Sequence, residues 1–169
     1  MDLSSERVKL SMAGFQAGCL ASLTMFAWWV LGASLQRRSP WTVPNQLATL
    51  FYGDQAYGSG FTYPTLAGLA LPYVVYTLLG VAFALIARDR RAGLPLVGAG
   101  LLTGLALNWL FFTAAMKRIS PELYIYLPNR LLMVSHLLYG VMLATFPSFL
   151  HRFKDAETPS IQEIGRMIE

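Results

Sequence analysis

Long apolar runs separated by short charged segments organise this chain, with no alternation of polar and apolar positions. Four runs are long enough to cross about 30 Å of hydrocarbon at roughly 20 residues each. They lie at about 10–33 (beginning LSMAGFQAGCLASLTMFAWWVLGA), 63–87 (containing TLAGLALPYVVYTLLGVAFALIA), 93–116 (GLPLVGAGLLTGLALNWLFFTAAM) and 131–150. Backbone polar groups in hydrocarbon need partners within the protein, so such runs predict helices, whereas barrel strands would alternate. The pattern therefore predicts an all-α membrane protein, a four-transmembrane-helix bundle over 1–152.

The segments between the runs carry weaker periodicities. In the long first loop, Leu47, Leu50 and Phe51 recur at helical spacing. Pro44 and Asn45 suggest a helix start with Asn45 as N-cap, and Gly58-Ser59-Gly60 suggests its end. With Trp41, Tyr52, Tyr57, Phe61 and Tyr63 around it, this reads as a short interfacial helix in an aromatic belt. At the other end, 153–169 is expected to leave the membrane as an amphipathic cytoplasmic tail. Ser160 and Glu163 have capping-box spacing, and Ile161, Ile164 and Ile168 share a helical face.

Composition strengthens the membrane reading. Only 13% of residues are charged and 55% are hydrophobic, whereas a soluble domain usually has about a quarter of its residues charged. Mean hydropathy is +0.48. The net charge of +4 comes from short clusters, not from a Lys/Arg stripe that could serve a nucleic acid. Eight basic residues fall on the side of the termini and the RDRRA hairpin, against five on the other side (Arg37, Arg38, Lys117, Arg118, Arg130). Excess Lys/Arg marks the cytoplasmic face, so a multi-pass protein of a bacterial inner membrane with both termini cytoplasmic is expected. The first run exceeds a signal-peptide core and reads as a retained anchor, and the flanks of Cys19 do not fit a lipidation site.

Small residues recur four apart on every run: Gly14, Gly18 and Ser22; Gly68, Pro72, Gly80 and Ala84; Gly100 and Gly104; Gly140 and Ala144. Membrane helices associate where such residues let backbones approach, and Pro72 should kink or loosen the second helix. On the same faces, by i±4 spacing, come His136 before Gly140, Asn108 after Gly104, and Tyr76 between Pro72 and Gly80. Tyr73, Tyr139, Trp28, Trp29 and Trp109 are placed at a similar level. Together they predict a polar and aromatic binding pocket in the outer half of the bundle, with Phe112 turned to lipid. His136 is expected to be hydrogen-bonded there, one ring nitrogen donating and the other accepting, with Asn108 or a tyrosine as partner.

The candidate chemistry is sparse. No Asp or Glu lies inside a run to mark a proton or ion route. Ser135 and His136 are adjacent and point apart on a helix. No GxSxG, HExxH, CxxC or phosphate-loop motif occurs, and a single cysteine excludes an internal disulfide. No catalytic residues and no metal site are expected; His136 is the one candidate axial ligand for haem or chlorophyll. The Gly-rich first run followed by RRSP, the GLLTG of the third, and the early histidine and basic end of the fourth resemble the YagU-like family of uncharacterised four-span bacterial inner-membrane proteins. That resemblance implies architecture and no catalytic residues. The expected function is a non-catalytic accessory subunit of a larger respiratory or photosynthetic membrane complex, with the bilayer and other membrane subunits as partners. The alternative is a small transporter or lipid-binding protein using the pocket.

Overall fold

A computed structural model describes residues 3–58, 60–90 and 92–155 of the chain, and among these it is helical with no strand. Helix α1 covers Leu3–Leu35, α2 Thr42–Tyr52, α3 Tyr63–Ile86 and α4 Leu94–Asn108. A π-helical segment, Trp109–Met116, continues α4 into the single turn α5, Lys117–Ile119. Then follow α6 (Pro121–Tyr126), α7 (Asn129–Leu143) and α8 (Phe146–Asp155). Four stretches are long and apolar enough to cross a membrane: Ser5–Leu35, Tyr63–Ile86, Leu94–Ile119 and Asn129–Phe153. The expected tail begins inside α8 and otherwise lies outside the described residues, as do Arg91 and Ser59.

Local chemistry sets the helix ends. Arg37 closes α1 in the left-handed region (φ 56°). The Arg38 N–H returns to Ala33 O at 2.9 Å and the Arg37 N–H to Ser34 O at 2.9 Å, the paired bonds of a Schellman stop. Thr62 and Thr65 form a reciprocal capping box at the start of α3, with Pro64 in its first turn. Gly93 takes φ 127° before Pro95 and α4, a conformation that favours glycine. The fourth run is broken: α7 stops at Leu143 and α8 restarts at Phe146. Pro147 has no N–H to continue the ladder. Helix α3, by contrast, runs through Pro72 unbroken.

Helix α1 packs along α3 on one side and α7 on another, and α4 packs along α7. Glycines set both close approaches. A methyl group on Gly18 would meet Thr77 O at 2.7 Å, and one on Gly14 would meet Gly80 O at 2.9 Å. Between α4 and α7, Gly100 and Gly140 each stand against the other's carbonyl, and Gly104 stands against the carbonyl of His136. Gly68 serves a different contact, lying under Pro44 O of α2.

Helix α2 begins four residues before the expected start, with Trp41 rather than Asn45 as its N-cap residue. The Asn45 side chain is buried and holds the following loop to α3 instead. Asn45 Nδ2 donates to Gly58 O at 2.8 Å and Gly60 O at 3.1 Å, while Oδ1 accepts from Thr65 Oγ1 at 2.6 Å. This fixes α2 across the first turns of α3 and brings Leu47 and Leu50 over the space between α3 and the π segment.

Two expectations for the third run are corrected, and helical spacing itself gives the reason: Phe112 is at i+8 from Gly104, on the glycine face, and Trp109 is at i+5, on the other side. Phe112, expected to face lipid, is 4% exposed and lies 4.9 Å from the Tyr124 ring. Trp109, expected in the pocket, is 62% exposed.

The glycine contacts make a direct expectation. Gly104→Leu would drive a side chain into the His136 carbonyl and should cost at least the 1–3 kcal/mol typical of overpacking. Leu102→Ala, at a position 69% exposed, should stay within about 0.5 kcal/mol of the parent. Thermal melts in detergent compare them, and equal losses would contradict the packing.

Candidate functional site

His136 occupies the cleft-facing side of α7 at the level where Gly104 lets α4 come close. Its Nδ1 lies 2.7 Å from Leu132 O. A carbonyl only accepts, so Nδ1 carries the proton and Nε2 is bare. The Tyr76 hydroxyl, 2.5 Å from Nε2, is therefore the donor across from α3. Tyr139, one turn further along α7 and fully buried, donates its hydroxyl to Tyr76 O at 2.6 Å. Three rings pack around Tyr76: Tyr139 at 5.0 Å, His136 at 5.5 Å and Phe111 at 5.6 Å between centroids. Helices α3 and α7 touch sparingly along their lengths, and these two hydrogen bonds are the polar bridge between them.

Above this bridge lies a cleft of about 120 Å³. Its walls come from five parts of the chain: Trp29 of α1, Leu47 and Leu50 of α2, Pro72 and Tyr76 of α3, Phe111 and Phe112 of the π segment, and Leu132 and His136 of α7. No Lys, Arg, Asp or Glu contributes to the lining. It lies in the half of the molecule that carries α2 and α6, which are joined where Gln46 Nε2 donates to Tyr126 O at 3.4 Å.

The structure brings His136, Tyr76, Tyr139 and Trp29 together from the expected set and separates the others. Trp28 sits beside α7, where its indole N–H donates to Leu131 O at 3.1 Å, and it does not line the cleft. Tyr73 is half-buried on the α1 side, its ring 6.2 Å from Phe26. Asn108 is half-buried at the end of α4 and has no bond to His136; its buried Oδ1 has no partner. Trp109 faces outward. Trp109, at i+5 from Gly104, points away from the glycine face by helical spacing alone.

The missed residues are the apolar ones. Leu47 and Leu50 were visible as a helical face of α2 but not as a roof for this space. Trp29, expected at this level, is 3% exposed and lines the cleft, whereas Trp28 does not because consecutive helical residues diverge. No signal within the third run announces the π segment.

A haem or chlorophyll at His136 does not fit this arrangement. An axial ligand must offer a bare ring nitrogen to the metal, whereas Nε2 is covered by Tyr76 and Nδ1 by Leu132 O. The cleft is also far smaller than a tetrapyrrole. Among the described residues, no group of three or more His, Cys, Asp or Glu converges to hold a metal ion. No family model, no curated protein and no solved structure matches the chain.

The Tyr76–His136 bond is open to a double-mutant cycle. Tyr76→Phe keeps the ring and leaves Nε2 without a donor; His136→Leu removes the acceptor. Coupling of about 0.6 kcal/mol, with an upper range near 1.7 kcal/mol, is expected from hydrogen bonds between membrane helices. Strictly additive losses in detergent unfolding would show that the contact contributes nothing.

Proposed function

We propose that this chain is a multi-pass protein of a bacterial inner membrane that works by binding, holding an uncharged apolar molecule in the cleft above Tyr76 and His136. The observation that carries this reading is the cleft itself. It is a partly open space walled by aromatic and aliphatic side chains, with Tyr76 and His136 among its lining residues, a concave and mostly apolar form that suits a small molecule. Its floor is a rigid, fully hydrogen-bonded pair, so the shape is preformed. Water has little reason to fill a space with so few polar partners.

The surroundings support a membrane setting. Leu78, Ile86, Leu94 and Leu102 are 61%, 83%, 84% and 69% exposed on the long helices, surface that hydrocarbon covers without penalty. The four helices then form a transmembrane bundle, with α2 lying at the interface on the outer side. The distribution of basic residues supports cytoplasmic termini and a cytoplasmic loop between α3 and α4. A reporter at Glu169 that is active only outside the membrane would contradict that orientation.

Membership of a larger membrane complex is the second reading. It is favoured by Gly98, which faces open space on α4, where a further helix could approach. Purification in mild detergent separates the two. With cleft binding, an apolar molecule co-purifies in near-stoichiometric amount; Ala67 of α3 also lines the cleft, and the molecule is lost in Ala67→Phe, whose ring would occupy that space. Stable co-migration with larger subunits, together with no occupant sensitive to position 67, would favour the second reading and contradict the first.

A further inference from the structure

A second, open recess of about 340 Å³ lies where α1 gives way to α2, and it shares no lining residue with the cleft. Gly58 apart, every residue lining it carries a polar side chain: Arg38, Ser39, Thr42, Asn45, Gln46 and Tyr57. Four of these are tied into the fold. Ser39 Oγ accepts from the Trp41 N–H at 3.3 Å, and Thr42 Oγ1 donates to Ser39 O at 2.6 Å. Asn45 holds the Gly58 and Gly60 carbonyls, and Gln46 Nε2 donates to Tyr126 O. The other two are not tied. Arg38 and Tyr57 are exposed, and among the described residues neither side chain has a hydrogen bond or an ion pair. No Asp or Glu lines the recess; Asp54, three residues before Tyr57, is exposed and stands outside the lining.

We infer that this recess is an anion site that takes a phosphoryl group, with the Arg38 guanidinium as its anchor and the Tyr57 hydroxyl as a second donor. Such a site stands apart from cleft occupancy; the membrane setting proposed above supplies its surroundings. Its chemistry follows from what the recess leaves unmet. Both free groups can donate: a guanidinium has donors and no acceptor, and a phenol has one O–H. A negatively charged ligand rich in acceptors satisfies both. The guanidinium fork engages phosphate oxygens two at a time, and a phosphoryl group keeps a further oxygen for the phenol. Position favours the same chemistry. The lining residues fall between the end of one apolar stretch at Leu35 and the start of the next at Tyr63, the level of lipid headgroups. Trp41 and Phe61, edge to face at 4.9 Å, flank them as aromatic side chains flank a membrane boundary. Arg37 carries the same charge one residue away and does not line the recess.

The test uses the full-length protein in a phosphate-free maltoside detergent, with bound molecules counted by native mass spectrometry. Two lipids with the same acyl chains are compared, dioleoyl phosphatidylglycerol and dioleoylglycerol, which differ by the phosphoglycerol group. The parent should prefer phosphatidylglycerol. Arg38→Gln should lower that preference about tenfold, the low end for a hydrogen bond to a charged group, and Tyr57→Phe should lower it by a smaller factor. Arg37→Asn removes the same charge at a left-handed position that asparagine accepts, and it should keep the preference. Arg38 and Tyr57 are both exposed, so their variants should melt with the parent. Glycerol phosphate, added as a soluble probe, distinguishes the sources. Arg38-dependent binding that displaces the lipid marks a soluble phosphate ester; a lipid preference that it does not disturb marks a headgroup. Either result supports the anion site. A parent that neither prefers phosphatidylglycerol nor binds glycerol phosphate would overturn it, as would binding unchanged in Arg38→Gln. An equal loss in Arg37→Asn would reduce the effect to general charge attraction and overturn the recess as its seat. An unchanged preference in Tyr57→Phe would overturn the role of Tyr57.

Discussion

Glycine against backbone is the contact on which the arrangement rests. In lipid there is no hydrophobic gain from bringing two apolar helices together, so association depends on how closely they pack. Gly14, Gly18 and Gly80 remove the side chains between α1 and α3; Gly100, Gly104 and Gly140 do the same between α4 and α7. Two tight pairs result, and α1 joins them through α7. The indole of Trp28 on Leu131 O is one polar tie at that junction. Because the close approaches fall within the pairs, α3 and the π segment stand apart, and the cleft is the space left between them.

The polar groups then fall into two classes. Tyr76, His136 and Tyr139 complete one another's hydrogen bonds and bridge α3 to α7. A histidine is tolerated there because each ring nitrogen has a partner, and the bridge gives the cleft a fixed floor. The Trp29 N–H is buried without a partner.

The parts of the fold legible in the sequence were those encoded by local spacing. Four apolar runs and the i+4 recurrence of small residues can be read without knowing which helix meets which. Pro147 lies where the fourth run breaks between α7 and α8, a boundary that the apolar pattern alone does not mark. Asn45 was read as a cap from its position after Pro44; its actual partners, the Gly58 and Gly60 carbonyls and Thr65, lie beyond the reach of local spacing. The π segment was not legible in the apolar spacing, whereas the inward Phe112 and outward Trp109 follow from their i+8 and i+5 positions relative to Gly104. The pairing of His136 with a tyrosine could be anticipated only as one of two choices, since the sequence does not say how α3 rotates against α7.

Nitrogen NMR of the two histidines tests the bridge most directly. His151 is exposed and serves as the internal reference for an imidazole in exchange with its surroundings. For His136 the structure requires a single tautomer with the proton on Nδ1 and an accepting Nε2, whose signal should move toward that of a free pyridine-type nitrogen in Tyr76→Phe. A proton on Nε2, or averaged tautomers insensitive to Tyr76→Phe, would contradict the bridge and the preformed cleft built on it.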